Sequence, residues 1–328
     1  MKTYTVGGIK MSLPIMPGAG VCKTPESTLR YLRPDVSVGA VVTGSYTPKP
    51  RPGNDGTLSW PADWIEFSRR QIGLNSFGMP NMGIDQAISD LSLTSTDRPR
   101  IVSFAGFSVD DYVYEAKVIA RSPHITGGEL NAGCPNTGKA PFAYDLEALW
   151  QVLFSLATLR LDFPLWIKLS PYVTHAELET IQEEWSEIDF TNVPVVTEGF
   201  VEEVLRLIAR YDDFVRAVVF SNTLPNCIVR NNGKPVTSPF DGKAGLSGAV
   251  LKPISIGLIK KAREILPSTI DLIGCGGILT GDDVMDYFDA GAVAVQCTSG
   301  PSWFGNGPRF HADLIAESEP LQQYLTSP

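Results

Sequence analysis

Short apolar runs that end in small or polar residues recur eight times along the chain, and this repetition constrains the fold more than any other feature. They lie at Pro14–Gly20, Ala40–Ser45, Arg100–Gly106, Ile125–Gly133, Pro164–Pro171, Ala217–Thr223, Asp271–Gly277 and Ala292–Gly300. Each is followed by helical periodicity or by a long loop. Helices are expected over Val109–Arg121, Leu146–Leu161, His175–Trp185, Val201–Arg210, Pro253–Leu266 and Gly281–Ala290. Parallel strands need helical crossovers, and eight of them close into a ring. The expected fold class is therefore α/β, a (β/α)8 barrel in a single domain over residues 1–328, with a doubly wound open sheet as the alternative. Tyr4–Leu13, with Gly7-Gly8 between two strand-like pieces, reads as a hairpin across the barrel bottom. Thr47–Asp90 and Asn226–Lys252 are too long to be plain connections. Long ordered loops at the βα end of a barrel are where its chemistry is usually built.

Charge narrows the partners. With 27 Lys+Arg against 36 Asp+Glu, the net −9 repels a nucleic-acid backbone, and no basic run offsets it. No stretch approaches the ~18 apolar residues of a membrane span, and Met1–Lys10 has neither a signal-peptide core nor an Arg-rich transit pattern, so a cytoplasmic protein is expected. The five cysteines (Cys22, Cys134, Cys227, Cys275, Cys297) are odd in number with no CxxC pair, and are expected to be free thiols. His124, His175 and His311 lie too far apart in sequence to suggest a metal site, and are expected to be surface or hydrogen-bonded residues. The 30 Gly and 25 Pro belong in loops rather than element interiors.

Two glycine motifs fail on inspection. Gly133–Lys139 has the GxxxxGK spacing of a nucleotide loop, but Ala140 stands where a hydroxyl should bind magnesium; Gly18-Ala19-Gly20 begins a GxGxxG pattern that Lys23 breaks. Three other features carry chemistry. Cys134 sits between Asn131 and Asn136 at the end of the fourth strand, placed to act as base or nucleophile beside a planar, amide-bearing ligand. Lys168 lies inside an apolar run at the end of the fifth strand, where a buried ammonium needs an anionic partner. Gly274-Cys275-Gly276-Gly277 and Gln296-Cys297-Thr298-Ser299-Gly300 end the last two strands, the usual phosphate site of a barrel, and fit a mononucleotide better than ATP or NAD.

Taken together, these segments resemble the dihydroorotate dehydrogenases of class 1, flavoproteins built on a (β/α)8 barrel, from about residue 7 to 315. The resemblance rests on Asn75–Gly83 (NSFGMPNMG), Glu129–Asn131 through Cys134–Asn136 with Gly138-Lys139 and Ala143–Asp145, Ile167–Pro171, Ser221–Thr223, Gly245–Gly248 with Lys252-Pro253, and the two phosphate segments. It implies FMN, with its phosphate at Gly276, Gly277, Thr298 and Ser299 near Gly248. Further flavin contacts fall at Gly18, Ala19, Gly20, Gly44, Ser45, Asn131 and Ser221, and Lys168 would stabilise the reduced flavin as a cation. Asn75, Gly78, Met79, Asn131, Asn136, Asn222 and Thr223 would grip a pyrimidine ring and its carboxylate. Cys134 would remove the C5 proton of dihydroorotate while hydride leaves C6 for the flavin, giving orotate in pyrimidine biosynthesis. Gly133–Phe142 would be the flap over the site. A cysteine base matches class 1, and class 1A enzymes are homodimers that pass electrons to fumarate; a partner subunit, as in class 1B, is the alternative.

Two positions depart from the family. Its second strand ends Thr-Lys-Ser, with a lysine that contacts flavin and substrate, whereas Thr43-Gly44-Ser45 stands here; Gly18-Ala19-Gly20 replaces Ala-Ser-Gly. Loss of a buried cation opposite an anion costs roughly a few kcal/mol, and Lys49 or Arg51 are the expected substitutes. The departure leaves other readings open. One is an oxidoreductase for another reduced pyrimidine without the carboxylate, and another is a flavin-binding protein without dehydrogenase activity. A tRNA dihydrouridine synthase, which shares a Cys-Pro motif, fits the net charge poorly.

Overall fold

A computed structural model describes residues 2–61, 71–94, 96–133, 141–304 and 307–327. All eight apolar runs form parallel strands, numbered here as the barrel staves: β1 (Ile15–Pro17), β2 (Val41–Tyr46), β3 (Arg100–Phe104), β4 (Gly127–Asn131), β5 (Leu165–Lys168), β6 (Val215–Phe220), β7 (Asp271–Cys275) and β8 (Ala294–Cys297). Consecutive staves pair from β2 to β8, and β8 pairs with β1. The ring closes between β1 and β2. There the Gly39 N–H donates to the Ile15 carbonyl (2.9 Å), the Gly44 N–H donates to Cys22 (3.0 Å) and the Gly20 N–H donates to Gly44 (2.8 Å). Closure excludes the open doubly wound sheet.

The strands are buried on both faces, so they read as near-continuous apolar runs rather than alternating ones. One set of side chains, including Val102, Phe104, Leu130, Ile167, Val218 and Leu272, packs outward against the helices. The other set, Met16, Val42, Ile101, Trp166, Ala217, Val219 and Ile273, fills the barrel interior. Period-two alternation also directs Glu129, Asn131, Lys168 and Gln296 inward, near the carboxyl ends of their strands. The helices are α1 (Pro25–Leu32), α2 (Ile84–Ser92), α3 (Val109–Ala120), α4 (Leu146–Thr158), α5 (His175–Glu184), α6 (Phe200–Ala209), α7 (Leu251–Ile265), α8 (Gly281–Asp289), α9 (Arg309–Ala316) and α10 (Glu319–Thr326). The six expected helices are α3 to α8. Helix α1 shows why a short helix escapes pattern reading: it buries only Thr28, Tyr31 and Leu32, and its start is fixed by a capping box between Thr24 and Ser27.

The barrel bottom is closed by the expected hairpin. Tyr4–Val6 pairs with Ile9–Met11 through Gly7 and Gly8, both at positive φ (51° and 80°), as a two-residue hairpin turn demands. The Gly7 N–H donates to Asp271 Oδ2 (2.7 Å) and the Trp166 indole donates to the Gly7 carbonyl (3.1 Å), which ties the plug to β7 and β5.

At the other end, the two long segments are not loops. Ser59–Pro61, Ile72–Asn75, Ala244–Gly248, Leu224–Asn231 and Ile188–Asp189 form an antiparallel sheet in that order, with Gly245 opposite Asn75 and Leu246 opposite Leu74. Its apolar residues Ile72, Leu74, Leu224, Cys227, Val229 and Leu246 share a core with Trp185, Ile188 and Phe190. Ile72–Asn75 and Ala244–Gly248 are short and contain glycine, so neither shows an alternation by itself, and their pairing spans the chain. Among the described residues no helix is long and apolar enough to cross a membrane.

Candidate active site

A cavity of about 390 Å³ opens among the carboxyl ends of the barrel strands and the added sheet. That is the mouth where barrel chemistry is built. Its floor holds a buried polar chain. Lys168, 4% exposed, donates from Nζ to Gln296 Oε1 (2.9 Å), and Gln296 Nε2 donates to Glu129 Oε2 (2.5 Å). Burial alone would lower the Lys168 pKa, but the neighbouring Cys275 and Glu129 outweigh it and the net direction is upward. Cys275 is itself raised by burial, although Lys168 pulls it back, so at neutral pH it is a thiol. The charge opposite the ammonium is then that of Glu129, and Lys168 stays cationic. Glu129 Oε1 has no hydrogen-bond partner among the described residues.

Above this floor runs a set of linked amides and hydroxyls. Asn131 donates to Ser45 Oγ (2.8 Å), which bonds Ser103 Oγ (2.8 Å); Asn131 Oδ1 accepts from Asn222 Nδ2 (2.9 Å) and from the Gly133 N–H (3.2 Å). The Thr223 N–H donates to Asn222 Oδ1 (2.8 Å), and Ser221 Oγ bonds Ser255 Oγ (2.8 Å). Each amide orientation is thus set by a second group, which leaves the remaining N–H of both asparagines directed by the protein rather than by solvent. The Gly133 contact also ties the residue after β4 back to Asn131.

Opposite lies a backbone cradle. Gly248, Gly276 and Gly277 have φ of 98°, 122° and 65°. A Cβ on Gly277 would meet the Gly248 carbonyl at 2.9 Å and the Lys252 nitrogen at 3.0 Å, so a side chain there would displace backbone. The N–H groups of Gly277, Thr298 and Ser299 donate to no acceptor among the described residues. Unfilled donors beside a left-handed glycine pair are the donor set an anionic phosphate requires, and the residues present therefore fit a mononucleotide.

Comparison with known proteins places the chain. The family model described as dihydroorotate dehydrogenase matches residues 1–207 and 193–318. The chain belongs to that family. It is 28% identical over 323 residues to dihydroorotate dehydrogenase A (fumarate) of Lactiplantibacillus plantarum, covering 96% of this chain and 91% of that one. It is 30% identical over 293 residues to the catalytic subunit of dihydroorotate dehydrogenase B (NAD(+)) of Geobacillus kaustophilus, covering 88% and 81%. Crystallised DHODH of Eimeria tenella in complex with ferulenol shares the fold, with a TM-score of 0.75 at 19% identity over 98% of this chain and 84% of that one. Both A and B forms stand among the relatives, as the class 1 resemblance implies.

Most residues singled out in the sequence meet in this one cavity: Ala19, Gly20, Ser45, Asn75, Gly78, Met79, Asn131, Lys168, Ser221, Asn222, Thr223, Gly248, Gly276, Gly277, Thr298 and Ser299 all line it. Cys134 and Asn136, with most of the expected flap, lie outside the described residues. Gly18 and Gly44 do not line the cavity; they stand behind its wall. Gly18 donates to the Cys297 carbonyl and leaves room only for Thr298 Oγ1, which a Cβ would meet at 2.4 Å. Gly44, at φ 94°, has no space for the family's lysine side chain, because its Cβ would lie 2.5 Å from the Ser103 carbonyl and 2.8 Å from the Tyr46 nitrogen. The expected substitutes for that lysine are corrected as well. Neither Lys49 nor Arg51 reaches the cavity: Lys49 is exposed, and the Arg51 guanidinium stacks 4.6 Å from the Phe107 ring centre. Lys23, Phe77, Gln296 and Trp303 line the cavity without having been singled out. Gln296 was legible in principle from its alternation with Ala294, whereas Lys23 sits in a loop that carries no periodic signal.

Proposed function

We propose that the chain oxidises dihydroorotate to orotate with bound FMN. The observation that carries this reading is the convergence in one barrel-mouth cavity of a phosphate cradle, a buried cation and the linked amides of Asn131 and Asn222. Gly276, Gly277, Thr298 and Ser299 would hold the phosphate, and Ala19, Gly20 and Lys168 would face the ring system. FMN held there would supply the acceptor for the hydride leaving C6 of the substrate, and its reduction would place negative charge in the site. Lys168, kept cationic against its burial by its acidic neighbours, is the protein's counter-charge to it. Asn75, Asn131, Asn222 and Thr223 orient the planar pyrimidine through its amide edges. Cys134 takes the C5 proton; a free thiol has a pKa of ~8.5, so that role needs neighbours or desolvation tuned to help.

Fumarate is the acceptor this reading assigns, supported by the near full-length match to an A form, and a homodimer accompanies it. The test is the flavin spectrum of the purified protein, followed by dihydroorotate added without oxygen. Bleaching of the flavin band supports the assignment. Bleaching by dihydrouracil alone would transfer the activity to a pyrimidine lacking the carboxylate, and a protein without bound flavin would refute the reading. Cys134→Ala should abolish steady-state oxidation while FMN stays bound; loss of FMN from that variant would show that the residue is structural.

A further inference from the structure

The net charge of −9 makes an anionic substrate a local problem. Among the described residues that line the cavity there are two cations, Lys23 and Lys168, and no carboxylate. Lys168 is committed at the floor, where it bonds Gln296 and faces Glu129. Strand β2 cannot supply another, since a side chain at Gly44 would run into the Ser103 carbonyl. Lys23 enters from the loop between β1 and α1. Its stem passes Gly20, with Cε 3.8 Å from where a Gly20 Cβ would stand, and its ammonium lies 4.7 Å from the centre of the Phe77 ring.

Phe77 sits between Asn75 and Gly78-Met79, so this ammonium lies beside the Asn75–Met79 segment, while the Gly20 position that its stem passes also stands 3.7 Å from Thr298 Cγ2. The backbone there is prepared for an anion as well. The N–H groups of Phe77, Gly78 and Met79 donate to no acceptor among the described residues, and Gly78 and Met79 both have positive φ (71° and 57°). A lysine held against an aromatic face keeps a hydrophobic stem and a directed charge, a cheaper arrangement to desolvate than a lysine in open water.

We propose that Lys23 is the specificity-determining cation of this chain, its ammonium over Phe77 pairing with the carboxylate of the bound pyrimidine. The inference rests on the proposed dihydroorotate chemistry and assigns one part of its substrate recognition. A charge-assisted pair lost from a partly buried site weakens binding by about ten- to a hundredfold.

The test is calorimetric titration of orotate, and of uracil as a probe without the carboxylate, into the flavin-loaded wild-type, Lys23→Met and Lys23→Arg proteins, with flavin content per chain measured for each. Expected is an orotate affinity about ten- to a hundredfold lower in Lys23→Met, largely recovered in Lys23→Arg, with uracil affinity and flavin content unchanged. Orotate binding to Lys23→Met within about twofold of wild type would overturn the assignment. So would an equal loss for orotate and uracil, which would make Lys23 a packing residue, or a loss of flavin, which would place its charge on the cofactor. If the wild-type holoprotein binds no orotate at all, the dihydroorotate reading itself fails and takes this one with it.

Discussion

Replacing Gly44 by lysine recreates the family's Thr-Lys-Ser at the end of β2, and the structure says it should destabilise the protein without restoring a useful cation. Two costs add. A side chain at φ 94° occupies a region that L-residues avoid, worth about 1–2 kcal/mol. The Cβ would also sit 2.5 Å from the Ser103 carbonyl and 2.8 Å from the Tyr46 nitrogen, both backbone atoms of paired barrel strands that cannot swing aside as a side chain would. Forcing atoms into a packed interior costs about 1–3 kcal/mol more. Together, about 2–5 kcal/mol is a large share of the stability of about 5–15 kcal/mol typical of a domain. Urea unfolding at saturating FMN should show the midpoint of Gly44→Lys falling on the order of 1 M with an unchanged slope. Gly44→Ala should lose most of the same amount, because the offending atom is Cβ. If Gly44→Lys were as stable as wild type, or gained turnover on dihydroorotate, the claim that β2 leaves no room for a cation would be wrong, and the case for Lys23 would weaken with it.

Two further outcomes are expected. Lys168→Met should keep its flavin, because the phosphate cradle is untouched, yet slow anaerobic bleaching by about a hundredfold through loss of the buried counter-charge; an undiminished rate would remove Lys168 from the chemistry. His311, expected to lie at the surface or be satisfied, is instead fully buried, edge-on to Tyr31 and Phe310, with neither ring nitrogen hydrogen-bonded among the described residues. Burial pushes its pKa down from 6.5 to about 4, against a weaker upward pull from the Pro308 and Met16 backbones. The folded state therefore resists a proton that the unfolded chain accepts below pH 6.5. Its contribution to stability is whole above pH 6.5 and fades as the pH drops to about 4, amounting to about 3 kcal/mol at most. Denaturant titrations between those limits should show that slope in wild type and a flatter one in His311→Leu; equal slopes would refute it.

The order of elements was legible because a strand buried on both faces must be a continuous apolar run and its crossover helix must carry a 3.6-residue stripe. Both are local properties, and they placed all eight staves and the six expected helices. That Gly276-Gly277 and Thr298-Ser299 would line the barrel mouth was legible for a similar reason: they follow strands whose direction was already known. The sheet above the barrel was not. Ile72–Asn75 and Ala244–Gly248 each lack an alternating face, and only their pairing across the fold, with Gly245 opposite Asn75, makes either one a strand.

The site divides along the same line. The sequence by itself determined which residue types are available at strand ends, and so located Asn131, Lys168, Asn222 and the glycines. What a given side chain can reach depends on where the loops return, which no local pattern records. Tertiary structure alone decided that Gly44 faces a carbonyl and cannot give way to a cation, that Arg51 spends its charge on Phe107, and that Gln296 joins Lys168 to Glu129. The same distances bring Lys23, from a loop with no periodic signal, to the Phe77 ring beside Asn75, because contacts between distant segments are set by barrel closure and not by spacing along the chain.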